Sequence, residues 1–415
     1  INNDATYLQI SFYAASAIIT LIGIAYMIKK AKSYRDYMNS LKNKIKNGDN
    51  LTDSERVTYD KWKLSSGTTK FKSSSFLWIG IAIGTQVTIS NILLLSKVKK
   101  LSVEEVDATN DADNFLLAIE DIFQFFEDGM TVRVGNAIGS ANFIMAGLLM
   151  KWAFIGGILT GLIGGTFATV ITFIDAIYSF FVPTTTKNIF PINCPLIGSY
   201  KDLQKLAKPY WIISSYSWPF QFIQKASIGF FMGTGETQLW GIAMICASAA
   251  KIGSFYLLIN NDNIGNTTVY GLANNMVPSI VFAIVAILCF MQKKYRDQFQ
   301  LNNSNMFSNQ GWNVAYMAMK DGRQLLLKDL VLTLQKSISL IMAAHLSLGS
   351  QYQLLMYSTV QTVFGYNYGG QNSGNLFSIA CGYGMRLTGS RFLGARSYVA
   401  FQWFFRTYLI GINLF

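Results

Sequence analysis

The sequence predicts an all-α fold: a polytopic transmembrane helical bundle of two pseudo-symmetric lobes, with about 10 helices. Three observations lead to this fold class. The chain is 51% hydrophobic and only 13% charged. Its apolar residues fall in blocks of about 20 or more, the length that crosses a bilayer. A glycine-bearing motif at 133–141 returns in looser form at 386–395, and such repetition in two hydrophobic halves is typical of duplicated membrane proteins.

Apolar runs predict the helices in chain order. The runs long enough to span a membrane are 7–28, 76–96, 144–182, 209–232, 239–259, 268–291, 329–348, 352–385 and 397–415. One more run, 114–132, is apolar but carries acidic residues. A large soluble α-helical protein is the alternative, but uncharged stretches such as 269–292 exceed what a buried soluble helix needs.

The helices and the polar segments between them predict five regions. An extra transmembrane helix occupies 1–30, and a basic cytosolic loop occupies 31–75. An N-lobe of six helices follows over 76–292. A cytosolic inter-lobe loop at 293–322 leads to a partial C-lobe, helices seven to nine, at 323–415.

The net charge of +12 is compatible with a nucleic-acid partner, but its placement indicates membrane orientation instead. With the loops taken alternately from an outside N-terminus, the inside loops hold 22 Lys and Arg and the outside loops hold 7. Positive residues concentrate on the cytoplasmic side of membrane proteins. We therefore expect a multi-pass protein of the plasma membrane or an endomembrane, with the lipid bilayer and no nucleic acid as a partner.

The acidic run 114–132 carries the polar side chains of greatest interest. At about 100° per residue, Glu120, Gln124 and Glu127 share one helix face, and Asp121 and Asp128 adjoin it. Carboxylates inside a membrane are costly unless they face a cavity, carry protons or pair with cations. We therefore expect these residues to bind a coupling ion or a cationic substrate.

Two structural alternatives remain for these acids. The helix could begin later, which would leave Glu120 and Asp121 in the outer loop. The acids could instead form structural ion pairs with lysines of other apolar runs: Lys151, Lys225, Lys251 or Lys336.

Three more polar side chains in apolar runs are candidate substrate or ion ligands. Gln86 and Asn91 could hydrogen-bond a substrate, although such residues often tie helices together. Lys336 lies in the middle of its run, so we expect it to face the bundle interior and to pair with the acidic face.

Three glycine-rich segments are expected as turns at the inner face, at 133–141, 233–237 and 386–395. A phosphate-binding loop is excluded because neither a Walker lysine nor an alternating strand pattern accompanies them. The chain has one histidine, no nucleophile motif and no metal-ligand spacing of its four cysteines. We therefore expect no enzyme, no metal and no cofactor.

Three motifs resemble the multidrug and toxic compound extrusion (MATE) family, most closely its eukaryotic members. The first is similar to that family's signature after its second helix, and its residues are Arg133, Gly135, Asn136 and Gly139. Another resembles the family's passage from helix 4 to helix 5, with Pro219, Gly233, Gly235 and Thr237. The third, a looser match, is in the second lobe, from Arg386 to Gly394.

The resemblance implies a secondary active transporter that exports organic, cationic solutes by proton- or sodium-coupled antiport through alternating access, as in multidrug efflux. Family members have twelve helices, so the C-lobe here is expected to be incomplete. The usual coupling acids do not carry over, because 76–96 has no Asp or Glu and 330–348 has Lys336 instead. Two alternatives remain: a flippase for lipid-linked substrates from the same superfamily, and a degenerate transporter that is a structural subunit of a membrane complex.

Overall fold

The computed structural model describes part of the chain, and every structural statement below concerns that part. The described residues are 33, 36–37, 39–48, 51–52, 55–56, 59, 73–122, 124–182, 200–259, 264–302, 304–320, 322–323, 326–327, 330–331, 382–396, 398, 401–402 and 405. The helices predicted over 7–28, 329–348, 352–385 and 397–415 lie wholly or mostly outside these residues.

The described residues form helices joined by short turns, and no strand occurs among them, so the all-α prediction is confirmed. In chain order the helices are α1 (39–46), α2 (Ser73–Lys100), α3 (Val103–Ile122), α4 (Phe125–Gly139), α5 (Phe143–Ile171), α6 (Asp175–Phe181), α7 (Tyr200–Thr234), α8 (Thr237–Leu258), α9 (Asn266–Gly271), a π-helix (Leu272–Met276), α10 (Val277–Met291), α11 (Lys293–Gln298), α12 (309–320) and α13 (382–394).

Four of these stretches are long and apolar enough to cross a membrane: Leu77–Lys100, Phe143–Ile171, Thr237–Leu258 and Asn266–Met291. Each corresponds to a predicted apolar run. The longest described helix, α7, contains more polar residues because it runs through the middle of the bundle, where α3, α4, α5 and α10 pack around it. The chain is therefore an integral, multi-pass membrane protein, as predicted.

The single helix predicted over 114–132 is wrong in its bounds. The structure has two helices there, since α3 ends at Ile122 and α4 begins at Phe125. Helix α3 begins well before the apolar run because acidic residues occupy its first turns, and acids favour a helix N-terminus. The run 144–182 is likewise two helices, since α5 ends at Ile171 and α6 begins at Asp175.

Glycines allow α5 to pack closely on α7. Gly157, Gly161 and Gly165 recur every four residues on the face of α5 that contacts α7. A Cβ at Gly161 would lie 2.5 Å from the backbone of Pro219, and one at Gly165 would lie 2.6 Å from the Ser215 carbonyl oxygen. Small residues at this spacing let membrane helices approach through their backbones.

Two apolar cores lie toward opposite ends of the bundle. We call the end that carries the turns at 140–142 and 235–236 the motif end; its core includes Met130, Phe230 and Phe290. The core toward the opposite end includes Trp211 and Phe255. On α7, α8 and α10, polar side chains fall between the residues of the two cores, so a polar layer crosses the middle of the bundle.

Candidate functional site

A cavity of about 470 Å³ occupies this polar layer. Its walls come from α2, α3, α4, α7, α8, the π-helix, α10 and α13. The volume is in the range of sites that bind drug-sized molecules. Of the predicted ligands, Gln86, Glu120, Gln124 and Glu127 line it together.

The π-helix supplies an amide-rich part of the cavity wall. Asn274 and Asn275 lie in it, and both line the cavity. Pro278 follows within the first turn of α10 and lacks an N–H, which removes a regular helical hydrogen bond. Asn275 donates to the Ser214 hydroxyl at 2.7 Å and to the Tyr210 hydroxyl at 3.3 Å. Such π-helical turns are frequent at functional sites, and the two adjacent asparagines in an apolar run were the sequence signal for this one.

Glu120 is engaged by a lysine of the central helix. The Lys225 ammonium lies 3.6 Å from the Glu120 carboxylate. It also donates to the Glu120 backbone carbonyl at 2.9 Å and to the Gln124 side-chain oxygen at 3.1 Å. This is the structural ion pair that the sequence left open as an alternative. Lys225 holds α3, the turn at Gln124 and α7 together at the cavity wall.

Glu127 differs from Glu120. Its residue is 5% exposed, and its Oε1 has no hydrogen-bond partner within the described part of the chain. The Tyr383 hydroxyl and the Gln124 side chain lie within hydrogen-bonding reach of the carboxyl group. No described lysine or arginine lies within ion-pair distance of it. Glu127 is therefore the cavity-wall carboxyl that has neither an ion-pair partner nor a full set of hydrogen bonds among the described residues.

Asp128 does not line the cavity. Its side chain is 9% exposed and forms an ion pair with Arg386 of α13, whose guanidinium also lies over the Tyr383 ring. The side chains of Asp121 and Asn91, and all of Lys336, lie outside the described residues. The structure therefore does not place Asp128 with the ligand-binding acids, where the sequence led us to expect it. Asp128 instead joins α4 to α13.

Lys251 of α8 is a second cation in the cavity wall, and the sequence offered it as a possible structural partner of the acids. Its Nζ donates a hydrogen bond of 3.4 Å to the Ser90 hydroxyl of α2. The acids whose charges act on this ammonium are Glu120 and Asp113. Glu120 is held by Lys225, and Asp113 accepts a hydrogen bond from Tyr210.

The two copies of the repeated motif pack against each other. The expectation of turns at 133–141 and 386–395 is mostly wrong, because Arg133, Gly135, Asn136 and Gly139 lie within α4, and Arg386 and Gly394 within α13. A Cβ at Gly135 would collide with Ser390, one at Gly139 with the Arg391 carbonyl oxygen, and one at Gly394 with the Asn136 backbone. These glycines therefore allow two helices to cross closely.

The third glycine segment is a turn, as predicted. Gly235 has φ +75°, a conformation that favours glycine, and Thr237 begins α8. Arg391 of α13 is 8% exposed and donates its Nε and Nη2 to the Gly233 carbonyl oxygen at 3.2 and 3.1 Å. At the same end, the Glu236 carboxylate, 3.5 Å from Lys294, raises the pKa of that lysine.

Together these contacts hold α13 across the motif end of the bundle, beside the cavity. Tyr383 lines the wall beside Glu127 and packs edge-on against Trp240, with ring centroids 5.5 Å apart. Arg386, three residues on, binds Asp128, and Arg391 binds the turn at Gly233. Arg133, at the same end, donates to the Met317 carbonyl oxygen of α12. The described residues include no group of three or more side chains that could hold a metal.

Comparisons with known proteins agree with this architecture. Residues 82–257 match the MatE family. A MOP superfamily transporter from Pyrococcus furiosus, described as having a binding pocket of reverse polarity, has a similar fold: TM-score 0.56 at 14% identity, over 79% of this chain and 65% of that one. An outward-facing multidrug resistance MATE transporter gives TM-score 0.54 at 15% identity, over 79% and 66%. A MATE in a bent conformation gives 0.56 at 17% identity, over 82% and 69%.

At these low sequence identities, the structural similarities show a shared fold alone. The chain spans about two thirds of the length of these structures, 65% of the first and 66% of the second. No curated protein sequence matches the chain.

Proposed function

We propose that this chain, whose residues 82–257 match the MatE family, is a membrane transporter that exports organic solutes with a cationic group by proton- or sodium-coupled antiport. The solute binds in the central cavity, and access alternates between the two membrane faces. An ion gradient supplies the energy, because the sequence has no nucleotide-binding motif.

The observation that carries this proposal is the Glu127 carboxyl. It is buried at the cavity wall with one oxygen lacking a partner among the described residues. A carboxyl in such a place is costly when charged unless a cation neutralises it. It can hold a proton while the cavity is empty and release that proton when a cationic solute arrives. Proton and solute then compete for one negative charge, which is the physical basis of antiport.

The packing of α13 against the motif end supports alternating access. In this conformation α13 covers the Glu127 side of the cavity through Tyr383, Arg386 and Arg391. Movement of α13 away from α4 would break the Asp128–Arg386 pair and expose the cavity at that end. A closed state held by few polar contacts can interconvert with an open one.

The test is exchange in proteoliposomes that contain the full chain. Uptake of a fluorescent organic cation is measured against an imposed proton or sodium gradient. We expect Glu127→Gln to slow gradient-driven uptake at least tenfold, since a neutral amide can neither release a proton nor attract the cation. Glu120→Gln should retain part of the activity, because its carboxylate is held by Lys225. Glu104→Gln, in the first turn of α3 and outside the cavity wall, is the matched control.

Full gradient-driven exchange in both Glu127→Gln and Glu120→Gln would exclude these acids as the coupling site. If Glu104→Gln also lost activity, the effect would be due to a general loss of negative charge on α3 and α4 and not to the cavity acids. Protein amount and thermal stability in detergent are compared for each variant so that misfolding is separated from loss of transport.

A flippase for lipid-linked substrates is the second candidate, and Lys225 and Lys251 in the cavity wall are what favour it. Such a substrate carries phosphates, which lysines bind. The cavity wall holds two lysines and two glutamates among its described residues, however, and Lys225 is occupied by Glu120. Translocation of a fluorescent polyprenyl phosphate across liposomes, with no movement of the organic cation, would favour the flippase.

A further inference from the structure

The charges of the cavity wall are separated along the bundle. Glu127 lies toward the motif end, beside Tyr383, which packs on Trp240. Lys251 follows Trp240 by eleven residues on α8, a rise of about 16 Å. One end of the same cavity therefore presents a carboxyl group and the other presents an ammonium group.

Among the described residues, Lys251 lacks a partner of opposite charge at contact distance. Its hydrogen bond of 3.4 Å goes to a neutral hydroxyl, that of Ser90. The two acids that face it are each bound by another group: Glu120 by Lys225, and Asp113 by the Tyr210 hydroxyl. A charge taken out of water without such a partner is destabilising, so the ammonium of Lys251 is expected to attract an anion from the cavity.

Neutral polar side chains line the same cavity. The hydroxyls of Ser90 and Ser248 and the amide of Asn274 line the cavity with Lys251. Hydroxyl and amide N–H groups can donate to a carboxylate or a phosphate while the ammonium supplies the charge. An anionic group would therefore find several donors here, whereas a cationic group would meet a lysine.

We infer that the cavity binds a solute bearing both charges: a cationic group at Glu127 and an anionic group, a carboxylate, at Lys251. This inference deepens the proposed function and rests on it, because both assign the cavity to the transported solute. It changes the expected substrate class from simple organic cations to zwitterions whose charges are separated by several bonds.

The test compares three forms of one dye, an aliphatic amino acid that carries an uncharged fluorophore and whose amine and carboxylate are separated by several bonds. The first carries an ammonium group and a carboxylate, the second is its methyl ester and retains only the ammonium group, and the third is N-acylated and retains only the carboxylate. Binding to the purified full chain in detergent is measured by fluorescence anisotropy. We expect the zwitterion to bind roughly tenfold more tightly than either other form, as one added charge contact suggests.

The variants assign each charge to its residue. Lys251→Gln should remove the preference for the zwitterion over the ester and leave ester binding within about twofold. Lys251→Arg should retain it. Glu127→Gln should remove the preference over the acylated dye. Lys99→Gln removes a lysine at the exposed end of α2, outside the cavity wall, and should change neither.

The outcomes separate the inference from the proposed function. If the ester binds as tightly as the zwitterion or more tightly, and Lys251→Gln does not change this, the inference is overturned. Transport of the ester would still support the proposed function. Tight binding of the acylated dye alone would also overturn it and indicate an anion site. No binding of any dye to the wild-type chain would contradict both. A zwitterion preference that Lys251→Gln abolishes would support the inference even where transport itself is absent.

Discussion

At the scale of single residues, two neighbouring glutamates of the cavity have different surroundings and therefore different expected roles. Glu120 is fixed by Lys225 through its carboxylate and its backbone carbonyl. Glu127 keeps an oxygen without a partner among the described residues. A fixed ion pair stabilises the wall but responds little to a solute, whereas a carboxyl without an ion-pair partner can exchange a proton for a cation.

The Asp128–Arg386 pair gives a prediction about closure at the motif end. Arg386→Gln leaves the nearly buried Asp128 carboxylate without this ion pair. We expect the free energy of unfolding to fall by about 1–3 kcal/mol. This is less than for a fully buried pair, because the Arg386 side chain is 41% exposed. The measurement is the thermal unfolding temperature in detergent, which should fall by several degrees. Lys320→Gln, exposed on α12, is the control. An unchanged melting temperature in Arg386→Gln would show that this pair does not stabilise the closed end.

The separate surroundings of the two glutamates could not be predicted from the sequence. Helical periodicity placed Glu120, Gln124 and Glu127 on one face, and all three do line the cavity. Whether an acid is paired, however, depends on which residue of a distant helix faces it. Lys225 follows Glu120 by 105 residues, and no local pattern specifies that contact.

At the scale of helices, the α5–α7 contact depends on the absence of side chains on one face of α5. Gly161→Ala would place a methyl group 2.5 Å from the Pro219 backbone, so the helices must separate. We expect the free energy of unfolding to fall by about 1–3 kcal/mol. Gly253→Ala, on α8, meets nothing within 4 Å and should be neutral or stabilising by about 1 kcal/mol, since alanine favours helix.

Both glycine variants are compared by thermal unfolding and by yield from the membrane. Equal stability of Gly161→Ala and Gly253→Ala would contradict close backbone packing between α5 and α7. Neither substitution alters charge or the cavity wall, so a difference in stability between the two variants reports on packing.

Apolar length located the four spanning helices found among the described residues, and the reason is physical: a bilayer requires continuous apolar residues along a helix. It failed where that requirement does not apply. Helix α3 starts among acids at Val103, outside the apolar run, and the break near Gln124 has no glycine or proline beside it. The motif glycines were expected in turns, but glycine serves close helix crossing equally well, and the sequence alone does not separate these uses.

At the scale of the whole molecule, the motif end is proposed to face the cytoplasm. The positive loops predict this orientation, and α11 with Lys293 and Lys294 follows α10 at that end. In a chain whose native cysteines are replaced, Lys293→Cys should react with a membrane-impermeant thiol reagent only after the cytoplasmic face is opened. Lys99→Cys, at the other end of α2, should react in intact cells. The opposite labelling pattern would show that the motif end faces outward, which would reverse the proposed direction of transport.

The two-lobe arrangement and the five regions of the chain remain proposals. The crossing of α4 and α13 through corresponding glycines agrees with a duplicated architecture. A degenerate transporter that acts as a structural subunit of a membrane complex remains the third candidate function. It predicts a chain that purifies in a stable assembly and binds no solute, and the dye-binding and exchange measurements distinguish it.

The most direct test of a shared site for proton and solute is chemical modification of Glu127 by a hydrophobic carbodiimide, which reacts with protonated carboxyl groups in membranes. The modified residue is identified by mass spectrometry across a range of pH, with and without a solute that carries a cationic group. We predict that Glu127 is modified, that its modification increases as pH falls, and that the solute protects it while Glu120 is little affected. Absence of modification at Glu127, or modification that the solute does not change, would contradict competition between proton and solute for this carboxyl group.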